Sequence, residues 1–185
     1  MMTKLTNSQW REQLESHVEE HIQVAVLTFQ NFDEEKLAAP ALNGGWSITQ
    51  CLWHLNSYGQ YYFPLIESAI NGKELLDNEL IFKSGWLGEY FTKMMSPSPR
   101  SKKMKAFKMH IPPNSAIPQL EVAEFIRQQE LLLKLLRVAA NCDLNKIRIP
   151  ISIGKVIRLK LGDVFQFIVA HDERHLQQAR RNMFK

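Results

Sequence analysis

At 185 residues and 45% hydrophobic side chains, the chain has the length and apolar content for one domain with a substantial core, spanning residues 1–185; that composition excludes an intrinsically disordered protein. The two cysteines, Cys51 and Cys142, are far apart and form no CxxC pattern, which excludes a disulfide framework and a cysteine-only zinc site and fits a reducing compartment. The net charge is only +4, no apolar run approaches the ~20 residues needed to cross a bilayer, and Met1 to Trp10 lacks the apolar centre of a secretory leader, so a soluble, cytoplasmic protein without a membrane partner is expected.

The first helix is predicted from about Thr6 to Phe32. It opens with Thr6 and Gln9 in capping-box spacing and carries Trp10, Leu14, Val18, Ile22, Ala25, Phe29 and Phe32 at a period near 3.6. Asp33 to Trp46, with Pro40 and the pair Gly44-Gly45, reads as a turn. The second helix starts at Ser47, again with a capping partner three residues on, Gln50. It places Ile48, Cys51, Leu55, Tyr58, Tyr62, Leu65 and Ala69 along one side and ends near Asn71-Gly72, with Pro64 expected to kink it.

From Lys73 to Ile117 the pattern changes. A short helix is expected over Trp86 to Met95. Ser96-Pro97-Ser98-Pro99 and Pro112-Pro113 then forbid a continuous helix. The basic stretch Arg100, Lys102, Lys103, Lys105 and Lys108 reads as a solvated loop; Phe107 is its lone aromatic, so it lacks the stacking series of single-strand binders, and no nucleic-acid partner is expected. The tail adds Arg180, Arg181 and Lys185. The third helix, Pro118 to Ala140, begins with proline in a favoured first-turn position and presents Leu120, Phe125, Leu131, Leu132 and Leu135. Lys146 to Ile153 reads as a short extended segment, and the last helix runs from about Leu161 to Asn182. The expected fold is all-α, a four-helix bundle with one long crossover between the second and third helices.

The chemistry concentrates in His171-Asp172-Glu173-Arg174-His175. Helix positions four apart lie one above the other, so both imidazoles can reach one ion at ~2.0–2.1 Å. Val164, Ile168 and Ala179 continue the same apolar stripe, so the two rings point inward, where losing water as a partner is unfavourable unless something replaces it. His54 on the second helix, in line with Cys51 and Tyr58, supplies a third donor. Two ligands from one helix and one from a neighbour make a three-histidine site with open positions.

Several residues compete with or surround that trio. His17 and His21 share the four-residue spacing at the margin of the first helix, among Glu15, Glu19 and Glu20, and periodicity alone does not choose between the pairs. An imitation of the protease HExxH by His171-Asp172-x-x-His175 is disfavoured, because Asp is shorter than Glu and no third ligand follows. Cys51 reads as a small buried filler. Helical geometry sends Glu173 toward solvent, sets Asp172 and Arg174 on either flank, and returns Gln178 to the histidine face. Tyr58 is expected to present its phenol to the cavity. Tyr58, Asp172 and Gln178 are the candidates to support the site; no catalytic or cofactor-contacting residue is assigned.

Gly45-Trp46-Ser47-Ile48-x-Gln50-Cys51-Leu52-x-His54-Leu55 resembles the start of the second helix in the DinB-like family. Leu161-Gly162-Asp163 through His171-x-x-Arg174-His175-Leu176-x-Gln178 resembles that family's last helix, and Gly85-Trp86-Leu87-Gly88 resembles a segment from one of its branches. The resemblance covers nearly the whole chain, the connection between the second and third helices more loosely. It implies a four-helix bundle with a long crossover and a divalent ion on His54, His171 and His175, which favours this trio over His17 and His21. It also implies a thiol S-transferase using a low-molecular-weight thiol such as bacillithiol, mycothiol or glutathione, with a thiol and an electrophile as partners, and a homodimer. The alternative is a non-enzymatic module whose ion is structural or sensory. Zinc, nickel, iron and manganese all suit imidazole.

Overall fold

Two capping boxes, both read correctly from the residue pattern, start the two helices that begin the bundle. In a computed structural model that describes residues 5–42, 44–74, 76, 80–97 and 105–183, with the backbone alone at Lys155, Thr6 Oγ1 accepts from Gln9 N at 3.2 Å while Gln9 Oε1 accepts from Thr6 N at 3.1 Å. The helix they start, α1 (Asn7–Leu27), buries Trp10, Leu14, Val18 and Ala25 as the stripe requires. It ends earlier than expected, and a 3-10 turn over Phe29–Asn31 carries the chain on. Asp33 then caps a short helix, α2 (Glu34–Ala38), through Lys36 N at 2.8 Å, where a turn alone was expected. Five residues are too few for periodicity to register; the signal was the cap with Glu34 and Glu35 in its first turn, where carboxylates oppose the positive helix end.

Ser47 and Gln50 repeat the capping box at 3.1 and 3.0 Å and open α3 (Ile48–Ile70), one continuous element that passes through Pro64. Helix α4 (Trp86–Met95) matches its predicted span, as do α5 (Pro118–Ala139) and α6 (Leu161–Arg180) to within two residues at their ends. Leu120 departs from its expected inward position: it is 61% exposed, because the buried side of α5 follows Val122, Phe125, Gln128, Gln129 and Leu132 instead.

The described residues are mostly helical, with two small antiparallel pairings that an all-α reading omits. Leu5–Thr6 (β1) pairs with Ile81–Phe82 (β2). Arg148–Ile151 (β3), within the segment expected to be extended, pairs with a return strand, Gly154–Lys160 (β4), that leads directly into α6. In the basic stretch Lys105 and Lys108 are exposed, whereas Arg100, Lys102, Lys103 and the tail's Lys185 lie outside the described residues.

Contacts along the four long helices fix their relative directions. Trp10 meets Phe165 at 5.6 Å and His21 meets Glu173 at 3.1 Å, so α1 and α6 climb together. Asn56 bonds Glu121 and a side chain added at Gly59 would strike Gln128, so α3 and α5 also climb together. Asn7 reaches the Ala140 carbonyl and Glu15 reaches Arg137, which sets α1 against α5. Two apolar clusters result. One holds Trp10, Val18, Tyr62, Ile66, Leu136, Phe165 and Ile168; the other holds Phe29, Leu37, Ile48, Leu52, Phe125 and Leu176. His54 and His171 fall in sequence between members of the two clusters on α3 and on α6. No helix among the described residues is long and apolar enough to cross a membrane.

Candidate metal centre

Helices α3 and α6 meet at the junction of the two clusters, and there His54, His171 and His175 converge. Nε2 of His54 stands 3.1 Å from Nε2 of His171, and one ring nitrogen from each of the three histidines lies within 4.8 Å of the others. Two nitrogens held ~2.0–2.1 Å from one tetrahedral ion are roughly 3.3 Å apart, so one pair already has the required separation and the third ring needs a small closure. His54 and His171 are each 3% exposed. Ring contacts account for the burial: Trp46 covers His54 at 4.8 Å, tilted, and His175 at 5.8 Å, and Phe167 lies parallel to His171 at 5.6 Å.

The donors are fixed by what their other nitrogens touch. His54 Nδ1 lies 2.6 Å from the His110 carbonyl; a carbonyl only accepts, so Nδ1 carries the proton and Nε2 keeps its lone pair. His175 Nδ1 donates to Gln178 Oε1 at 3.0 Å, which leaves its Nε2 for the centre in the same way. Such outer partners hold ring orientation and tautomer in histidine metal sites. Burial pushes the His54 imidazole down to about 4, against the pull of its bond to the His110 backbone. It pushes His175 down to about 3 and His171 well below its ordinary value, with repulsion among the rings adding to the effect. All three are therefore neutral near pH 7, the protonation state that ligates a cation.

The surrounding residues sort differently from the expectations drawn from helical geometry. Gln178 does touch the site. The Tyr58 ring packs 4.4 Å from His171 and 5.1 Å from His54 and walls the centre, while its hydroxyl interacts with Ser152 on the β3–β4 hairpin. Asp172 turns toward α5 and accepts from Gln129 Nε2 at 2.9 Å; burial raises its carboxyl to about 6. Glu173 does not point freely to solvent. It is half-buried and accepts from His21 Nε2 at 3.1 Å and from Gln177 at 2.7 Å, and the His21 bond holds its carboxyl down at about 2. His21 is accordingly buried rather than at a solvated edge, 1% exposed, while its presumed partner His17 is exposed. The first-helix pair thus divides between a helix-to-helix tie and the surface. Cys51 is fully buried, with its thiol pushed up to about 12, in keeping with a filler.

A fourth histidine, His110, escaped the sequence reading. It closes a 3-10 turn, Lys108–His110, beside Pro112-Pro113, in a segment with no helical period to signal an inward face. Its ring stacks on Tyr58 at 3.8 Å and stands edge-on to His54 at 6.3 Å.

A family model described as the DinB superfamily matches residues 17–179, a span that includes all three converging histidines. The chain belongs to the DinB superfamily. Among solved structures it resembles YfiT from Bacillus subtilis, described as a probable metal-dependent hydrolase with an unusual four-helix bundle topology, at 16% identity and a TM-score of 0.54, over 100% of this chain and 91% of that one. At that identity the likeness speaks for the fold. No curated protein matches.

The segments that resemble the superfamily each have a mechanical role around the histidines. Gly45 to Leu55 contains the α3 capping box and Trp46, whose carbonyl accepts from Asn182 Nδ2 at 2.9 Å, so the end of the chain holds the indole over His54 and His175. Gly85 and Gly88 seat α4 against the first turn of α6. There Asp163 accepts from Ser84 Oγ and, at 3.0 Å, from Gly85 N, and a Cβ on Gly88 would come within 2.1 Å of the Asp163 carboxyl carbon. That contact helps set the position of α6, and with it His171 and His175.

Proposed function

We propose that this DinB-superfamily protein binds one divalent ion on His54, His171 and His175 and uses it to activate a low-molecular-weight thiol for transfer to an electrophilic small molecule. The observation that carries the reading is the convergence of three neutral imidazoles, two buried and His175 half-buried, within 4.8 Å, with both Nδ1 atoms that have an identified acceptor turned away. A divalent ion supplies Lewis acidity there and lowers the pKa of a thiol or a water that reaches it. The chain's own residues do the rest. The His110 carbonyl and Gln178 orient two of the donors, and Trp46, Tyr58 and Phe167 wall the rings with apolar surface.

The thiol comes from the family resemblance. A hydrolytic reaction, with water in its place, is the second reading and takes its support from the description of YfiT. The third is a structural or sensory ion. Zinc, nickel, iron and manganese all fit an all-imidazole donor set. The same proposal takes residues 1–185 as one domain. It treats the 71–117 connection as a crossover along the bundle, in keeping with α3 and α5 climbing together, and it places the protein in the cytoplasm, in keeping with two free, buried cysteines. A homodimer follows from the resemblance alone.

Elemental analysis of the untagged protein tests the first step, with one equivalent of metal per chain expected. His175→Ala should abolish stoichiometric metal while far-UV circular dichroism retains most of the helicity; metal kept at one equivalent would overturn the assignment. Loaded protein is then screened with bacillithiol, mycothiol and glutathione against electrophiles. Thiol-dependent turnover supports the transferase, and thiol-independent hydrolysis replaces it with the second reading. Absence of turnover together with a large drop in Tm on chelation identifies a structural ion.

A further inference from the structure

Three hydrogen bonds close a circuit between one turn of α3 and the 3-10 turn that ends at His110. His54 Nδ1 donates to the His110 carbonyl at 2.6 Å, His110 Nδ1 meets Ser57 Oγ at 2.8 Å, and Ser57 Oγ donates to the His54 carbonyl at 2.7 Å. Two of the three acceptors are carbonyls, which cannot donate, and these set the direction of every bond. Ser57 spends its one hydroxyl hydrogen on the His54 carbonyl, so it accepts from His110 Nδ1–H. His110 Nε2 is left as a lone pair, and it is a buried atom with no hydrogen-bond partner. The imidazole is therefore held through Nδ1 and through its stack on Tyr58, and at 1% exposure it has little freedom to turn.

We infer that His110 is a positioning residue for the histidine centre, acting through a side chain that anchors its own backbone carbonyl against His54. The carbonyl locks His54 as the Nδ1–H tautomer and so presents Nε2 toward His171. Without the anchor, the Lys108–His110 turn no longer holds its carbonyl against His54, and His54 can place its proton on Nε2, the atom that faces the other two rings. The inference rests on the metal reading for its consequence on binding, but the tautomer itself can be read without any metal.

The test uses the full-length protein freed of metal by chelation. Long-range 1H–15N spectra of protein labelled at histidine report the tautomer of His54 at neutral pH. The wild type is expected to show Nδ1–H. His110→Ala should lose that preference and bind Zn2+, measured by chelator competition, about 10- to 100-fold more weakly, the usual scale for removing an outer partner of a metal-ligating histidine. His110→Asn, whose amide reaches Ser57 from the same position as Nδ1, should restore most of both. His110→Phe keeps the stack and loses the bond, and Ser57→Ala removes the bond with a smaller disturbance should His110→Ala fail to fold; both should fall between. A merely structural His110 would lower stability and leave tautomer and affinity alone. Unchanged His54 tautomer and Zn2+ affinity in folded His110→Ala or Ser57→Ala overturn the inference and leave the metal centre standing. A wild type that binds no metal, together with the predicted tautomer shift in His110→Ala, removes the metal reading and keeps the positioning role.

Discussion

Acidification of the metal-free protein from pH 7 to pH 5 should destabilise it, and His54 allows the size to be worked out. In the unfolded chain this group titrates near 6.5; in the folded protein burial holds it at about 4. The folded pKa is depressed, so at pH 5 the unfolded state has taken up the proton and the native state has not. Stability present above pH 6.5 is therefore lost as pH falls toward 4. For a shift of this size the loss between pH 7 and pH 5 is about 2 kcal/mol from His54 alone, against a total stability of ~5–15 kcal/mol for an ordinary domain. His175, His171 and His110 are depressed as well and act in the same direction. Asp172 opposes them: its folded value is raised to about 6, so the native state takes up that proton first and recovers about 1 kcal/mol over the same interval. Glu173, held at about 2, enters only below its ordinary range near 4.5. Guanidinium unfolding at the two pH values and constant ionic strength measures the difference, and His54→Gln should shrink it by about 2 kcal/mol. Equal or greater stability at pH 5, or a full-sized difference in the variant, would refute the reasoning.

Gly88→Ala should destabilise by about 1–3 kcal/mol through overpacking against Asp163, read as a lower Tm; an unchanged Tm would mean that α4 is not seated by that contact. Glu173→Gln should weaken the tie between α1 and α6 by about 1.5–3 kcal/mol, the range for a hydrogen bond to a charged group, while leaving Zn2+ affinity unchanged, because Glu173 faces His21 and away from the centre. A large loss of metal affinity in that variant would place Glu173 in the site after all.

Wherever a residue's role depends on neighbours within one helix, the chain already states it. Thr6 with Gln9 and Ser47 with Gln50 mark helix starts because a cap needs only a hydroxyl and an amide three residues apart. His171 and His175 share a face because four residues make about one turn. His54 was legible from its place in line with Cys51 and Tyr58 on its own helix, and the resemblance to the superfamily favoured that trio over His17 and His21. What local periodicity misplaced were residues at the borders of a face. His21 and Glu173 each sit at a helix margin, and a margin is solvent or interior depending on the neighbouring helix. The parallel packing of α1 and α6 brought the two together. The Tyr58 phenol followed Ser152 on a hairpin whose return strand carried no clear alternation, and Asp172 followed Gln129 on α5. His110 had no periodic signal at all, since a 3-10 turn between prolines has no face to read; only the packing of that turn on α3 placed its carbonyl against His54. Spacing along one helix is a covalent property, written residue by residue in the chain. The approach of one helix or turn to another is decided by the whole core, and the electrostatics of this centre are set there.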